Sequence, residues 1–203
     1  TRSDRDWSSD VCSSDLAPVA WGSYGITGNN VKIGIIDTGI DYIHTNFGGS
    51  GLQADYDYAH TVTGPVVNFN GKQIYPTVKV AGGFDFAGDD YTADNAPQPD
   101  QNPLDCAADL GGGHGSHVAG TAAGYGVNAN GSTYTGTYNQ STDLESMRIG
   151  PGVAPGATLY ALRVFGCQGS TNLTEAAIDW AVDPDGNPST NDHLDIINMS
   201  LGA

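Results

Sequence analysis

The chain has 203 residues, 7 of them Lys or Arg and 23 Asp or Glu, for a formal net charge of −16. That length allows one domain with a sizeable core, or part of a larger one, and the acidity argues against nucleic acid or an anionic membrane surface as a partner. With 29 glycines and only 15% charged residues it describes a loop-rich globular domain rather than an acidic disordered one, and no apolar run approaches membrane-spanning length.

Residues 6–16, D-W-S-S-D-V-C-S-S-D-L, show no apolar periodicity and resemble the conceptual translation of a sequencing-adapter oligonucleotide. Residues 1–16 are therefore read as a non-native leader and set aside, with a disordered Ser/Asp leader as the alternative. Setting them aside removes Cys12 and leaves Cys106 and Cys167. Residues 17–30 read as a lead-in, with Trp21 and Gly22 opening a Gly/Asn-rich turn. Residues 31–36, V-K-I-G-I-I, form a near-continuous apolar run with β-branched members, as expected of a strand covered on both faces. Gly34 within it points to close approach by another backbone.

From 42 to 113 the chain is rich in Gly, Asp, Pro and Tyr, with weak extended pieces at 77–80 and 83–86 and a Pro/Asp-laden surface loop at 95–105. Residues 116–124 have a helical pattern built, His117 apart, from small residues, which predicts a central, buried helix. Residues 125–152 read as loop again. Residues 158–165 are a second strand, and a helix follows with Asn172 as N-cap and Glu175 three positions on, a variant of the capping box. Leu173, Ala176, Ala177, Trp180 and Ala181 then fall on one face. Residues 183–188 break that helix into a turn, and 194–199 form a third strand. Strand, helix and strand at this spacing predict an α/β fold, a parallel β-sheet flanked by helices.

Two places carry chemistry. Asp37 stands at the C-terminal tip of the first strand, where parallel α/β sheets place catalytic groups and where an unpaired charge would be costly. His114 opens the small-residue helix. In a nucleophilic triad an aspartate orients and stabilises the imidazole, and the imidazole acts as general base and then general acid. A dinucleotide site is a poor rival, because residues 113–118 fail the G-x-G-x-x-G fingerprint at its last position. A metal hydrolase using His114 and His117 with Asp37 rests on H-x-x-H without an intervening Glu, a weak signal. The acidic turn at 183–187 invites calcium, but no Glu follows at EF-hand spacing and an ordinary turn is favoured.

Taken together and in order, I-I-D-T-G-I-D (35–41), H-G-S-H-V-A-G-T (114–121), G-V-A-P-G-A-T-L-Y-A-L-R-V-F (152–165) and I-I-N-M-S-L-G (196–202) resemble four blocks of the subtilisin-like serine proteases. The Asp, His, Ser chain order is taken from that family. The resemblance implies that residues 17–203 are the N-terminal part of a subtilisin-like catalytic domain, with Asp37 and His114 as catalytic residues. It further implies that Gly169, Ser170 and Thr171 form one wall of a substrate cleft, and Ser200, Leu201 and Gly202 a strand that pairs with the substrate backbone. His117 aligns with the motif's second, non-catalytic histidine and is expected to pack within the helix.

The chain also departs from the family. Ser116 stands where Thr is commoner. Asn46 stands where many relatives have a calcium-binding Asp, so that metal site is not carried over; no cofactor is required, no metal ligand is assigned, and structural calcium is left open without an assignment. The separation of Asp37 and His114 is long, and residues 82–91 look like large secreted subtilases that carry a protease-associated insert. The nucleophile block G-T-S-M-A and the oxyanion-hole Asn do not occur within residues 1–203 and would lie beyond Ala203. The resemblance implies a disulfide between Cys106 and Cys167, with two separate buried thiols as the alternative. The expectation is a secreted serine endopeptidase acting on polypeptides, inactive as this stretch alone. The alternative is a non-catalytic, subtilase-like peptide-binding module.

Overall fold

A computed structural model describes residues 16–202. The leader assigned to residues 1–16, with Cys12, lies outside the described residues except for Leu16. Four parallel strands form the central sheet: β1 (Lys32–Asp37), β4 (Val80–Asp85), β7 (Thr158–Arg163) and β8 (Ile196–Asn198), in the order β4-β7-β1-β8. Side chains alternate across a strand. Ile33 and Ile35 of β1, with Leu159 and Ala161 of β7, therefore enter one core cluster. Ile36, with Leu162 of β7 and Val164 just beyond it, enters the other. Helix α3 (His114–Ala123) lays Ala119 and Ala123 on the first face, and helix α4 (Thr174–Val182) lays Ala177 and Ala181 on the second. Helices cover both faces, the α/β arrangement that near-continuous apolar strands require.

Several expectations are corrected. The lead-in is helix α1 (Ala17–Tyr24): Pro18 fits the first turn, where no intrahelical N–H bond is lost, and Gly25 closes the helix at φ 65°. Trp21 anchors it, 3% exposed, with its indole N–H donating to the Val153 carbonyl at 2.8 Å. A short helix α2 (Gln53–Ala59) follows β1. Residues 77–79 bend into β4, with Thr77 N–H donating to the Val80 carbonyl at 2.8 Å, so only Val80 of the expected 77–80 piece is strand. Ahead of it, β2 (Val67–Phe69) and β3 (Lys72–Tyr75) pair antiparallel around Asn70 and Gly71, both at positive φ. An Asn-Gly pair of that kind is a hairpin signal.

The loop 95–105 is a surface loop only as far as Gln101, since residues 102–105 are buried. Residues 125–152 contain a small antiparallel pair, β5 (Val127–Asn128) with β6 (Met147–Ile149). Gly34 is crowded by a side chain, not a backbone: a Cβ there would sit 2.7 Å from Leu194 Cδ1. Asn172 does not cap α4. Its side chain pairs with the Tyr91 hydroxyl, and Thr171 Oγ1 accepts the Leu173 N–H at 3.1 Å instead. On α4, Ala176 is exposed while Leu173 and Trp180 are partly buried. The third strand shortens to β8, where Ile196 and Ile197 are exposed at the sheet edge.

Candidate active site

Asp37 ends β1 with no solvent exposure, and His114 is the first residue of α3. Their side chains meet with His114 Nδ1 2.8 Å from Asp37 Oδ1. An ionised carboxylate can only accept, so Nδ1 is the donor in this pair, and in the neutral ring Nε2 then carries the lone pair. The ring is 56% exposed and Asp37 0%, which gives a buried anion behind an accessible imidazole. The other oxygen, Asp37 Oδ2, is buried without a hydrogen-bond partner among the described residues.

Small residues let the two elements come this close. A Cβ on Gly115 would lie 2.3 Å from the Gly39 carbonyl oxygen and 3.1 Å from Asp37 Cβ. The same contact holds the α3 N-terminus. Gly115 N–H donates to Thr38 Oγ1 at 2.9 Å, and Thr38 N–H donates to Asp37 Oδ1 at 2.8 Å. Gly113, the N-cap position, has no side chain to offer, and a residue from outside the helix supplies the cap. Asp105 Oδ1 accepts Gly113 N–H at 3.0 Å, while Oδ2 accepts Ser116 N–H at 3.0 Å and the Ser116 hydroxyl at 2.6 Å. Burial raises the pKa of Asp105 above its ordinary value, against the hydrogen bonds from Ser116, Gly113 and Thr38 that favour the anion.

Sequence reasoning passed over Asp105, since a cap eight and eleven residues upstream of its donors leaves no local pattern. The one available signal was negative: three glycines before His114 contain no capping side chain. Arg163 was also missed. It ends β7 buried, pairs with Asp85 at 3.0 Å and Asp89 at 2.8 Å, and lies 3.0 Å from Cys106 Sγ. Burial pushes Asp85 up to about 6, with Arg163 opposing the shift. Cys106 and Cys167 are disulfide-bonded, tying the segment ahead of α3 to the one after β7.

The remaining predicted residues follow the ends of the strands that flank β1. Gly169, Ser170 and Thr171 come after β7; Gly169 has φ 100° and packs against Thr92, Ser170 is exposed, and Thr171 Oγ1 donates to the Val164 carbonyl. Ser200, Leu201 and Gly202 come after β8. Ser200 Oγ is 2.9 Å from Asn198 Oδ1, Leu201 packs on the Ile36 cluster and Gly202 is exposed. The register pairs Asp37 with Arg163 and Ile35 with Asn198, so both segments leave the sheet beside Asp37. His117 is corrected: it is exposed, three residues beyond His114.

Asn46 is buried, 5% exposed. Its side-chain oxygen accepts Gly126 N–H at 2.8 Å, and Gly120 and Gly124 pack against its carboxamide. In the acidic turn, Asp183, Asp185 and Asp192 bring carboxylate oxygens within 4.8 Å of one another, and Asp185 Oδ1 is engaged by Asn187 N–H at 2.8 Å.

Comparison with known proteins adds to this geometry. A family model described as the subtilase family matches residues 28–203. Subtilisin DY of Bacillus licheniformis is 31% identical over 182 residues, covering 88% of this chain and 39% of that protein. The minor extracellular protease Vpr of Bacillus subtilis is 32% identical over 185 residues, covering 90% of this chain and 15% of that protein. The chain thus spans well under half the length of these relatives. Among solved structures, proteases from Pseudoalteromonas arctica PAMC 21717 superpose with a TM-score of 0.49 at 24% identity, covering 92% of this chain and 45% of that one.

Proposed function

Since this chain belongs to the subtilase family, we propose that it forms part of a serine endopeptidase in which His114 is the general base and Asp37 its charge-stabilising partner. The observation that carries this reading is the 2.8 Å bond between a buried strand-end carboxylate and a half-exposed imidazole. Nε2 takes the proton of a hydroxyl nucleophile as it attacks the peptide carbonyl, then returns it to the leaving amine. Asp37 keeps the ring in the tautomer that needs and stabilises the imidazolium between the two transfers.

The nucleophile is a serine in a G-T-S-M-A-like turn. Residues 1–203 contain no such block, and on this reading no hydrolysis is expected of this stretch alone. The substrate is a polypeptide laid between 169–171 and 200–202, held by backbone pairing with side chains setting preference. Residues 17–203 are the N-terminal part of the catalytic domain, working outside the cell, where a disulfide persists.

The test is His114→Ala in the protein carrying its nucleophile segment. Peptide hydrolysis falls roughly 10⁴-fold or more, with the fold retained by circular dichroism. Near-normal rates would remove His114 from the mechanism. A parent protein that binds peptides without cleaving them would mark a binding module instead.

A further inference from the structure

The scheme above gives Asp105 no part, yet this carboxylate is fully buried and gathers the segment that presents the imidazole. Its two oxygens take Gly113 N–H, Ser116 N–H and the Ser116 hydroxyl, on either side of His114 and Gly115. Between them, Gly115 N–H donates to the Thr38 hydroxyl oxygen, and Thr38 N–H donates to the Asp37 oxygen that His114 engages. Ser116 Oγ in turn accepts Asp41 N–H at 2.8 Å, which ties α3 to the chain leaving β1. The arrangement is specific to an anion. Asp105 faces donors at both oxygens, so a carboxamide would turn an N–H₂ group toward one of them.

We propose that Asp105 is a positioning residue, whose carboxylate acts through Gly113 and Ser116 to set the first turn of α3 and so the His114–Asp37 hydrogen bond. The inference rests on the roles proposed for Asp37 and His114, and Asp105 itself touches no substrate. Donors on both sides of His114 fix its backbone, and the Thr38 link sets the height of Asp37 relative to that turn. Loosening the turn leaves both catalytic side chains present but misaligned, and displacements on the ångström scale cost about 10²-fold in rate.

Two readouts test this. In the protein carrying its nucleophile segment, labelled with ¹⁵N-histidine, the Nδ1 proton of His114 is followed by NMR as a downfield resonance protected from exchange. Asp105→Asn and Ser116→Ala are expected to lose it, and Ser116→Thr, which keeps the hydroxyl, to retain it. In the protein carrying its nucleophile segment, Asp105→Asn lowers kcat about 10²-fold with KM little changed, and Ser116→Thr stays near the parent. An unchanged resonance and kcat in Asp105→Asn overturn the proposal, as does equal loss in Ser116→Thr and Ser116→Ala. Should Asp105→Asn not fold, the Ser116 pair decides by the same criteria. A parent that hydrolyses nothing defeats the proteolytic reading, and the NMR arm then decides Asp105 independently.

Discussion

Gly115 follows His114 with its Cα pressed against the end of β1, and the space for a side chain there is already filled by the Gly39 carbonyl and Asp37 Cβ. An added methyl must push α3 off the strand tip, and it moves His114 with it. Gly115→Ala is therefore expected to destabilise the protein by about 3 kcal/mol, at the upper end of overpacking costs, measured as a fall in urea midpoint at unchanged slope. A variant as stable as the parent would mean that α3 shifts freely and that its close seat does not hold the histidine. The identities of Asp37 and His114 are legible in the sequence, because each sits in a compact block with its own local logic. Asp105 and Arg163 are not, because their partners lie on other elements.

At the level of elements, α3 and the β7 exit form one unit through the Cys106–Cys167 bridge, which closes a span of 61 residues. Cys106 adjoins Asp105, and Cys167 precedes Gly169, so the bridge joins the cap of the histidine helix to one proposed cleft wall. In the chain-entropy picture a loop of that size contributes about 4 kcal/mol by restricting the unfolded chain. Replacing both cysteines by serine should lower the guanidinium midpoint accordingly, and an unchanged midpoint would show that Arg163 and its carboxylates hold these segments without it. Helix α4 shows where local reading falls short. Its small residues Ala177 and Ala181 do face the core, but Asn172 is drawn away to Tyr91, and tertiary contact overrides the capping pattern.

For the whole molecule, the buried cation Lys79 sets a pH dependence. Its side chain is 2% exposed, donates to the Pro155 and Ala157 carbonyls at 2.7 Å each, and lies over the Tyr125 ring. Burial pushes its pKa down from 10.5 to about 8. Between those values the unfolded chain binds the proton and the folded one releases it, so stability rises with pH across that window. The gain amounts to about 3 kcal/mol by the top of the window. Tyr42 and Tyr75 act oppositely: burial raises both, so the unfolded chain ionises first and stability falls above pH 10. Urea unfolding should therefore show a maximum in the alkaline range, and Lys79→Met should abolish the rising limb. A limb that survives in Lys79→Met would assign it to another group.

Periodicity and short blocks, which are local, were enough to read the strands at β1, β7 and β8, the helix of small residues, the α/β class and the two residues on which the chemistry is proposed to turn. The hairpin at Asn70-Gly71 had its signal in the chain as well, though a short one. What depended on the folded chain was everything joining residues far apart. Leu194 fills the space above Gly34, Asp105 caps a helix whose own N-cap is glycine, and Arg163 is neutralised by Asp85 and Asp89. Asp37 and His114 themselves, 77 positions apart, meet because the strand order places β1 at the centre of the sheet with α3 laid on its tip. Hydrophobic alternation decides which face a residue takes, but a buried polar group is satisfied by whichever partner packing brings within reach.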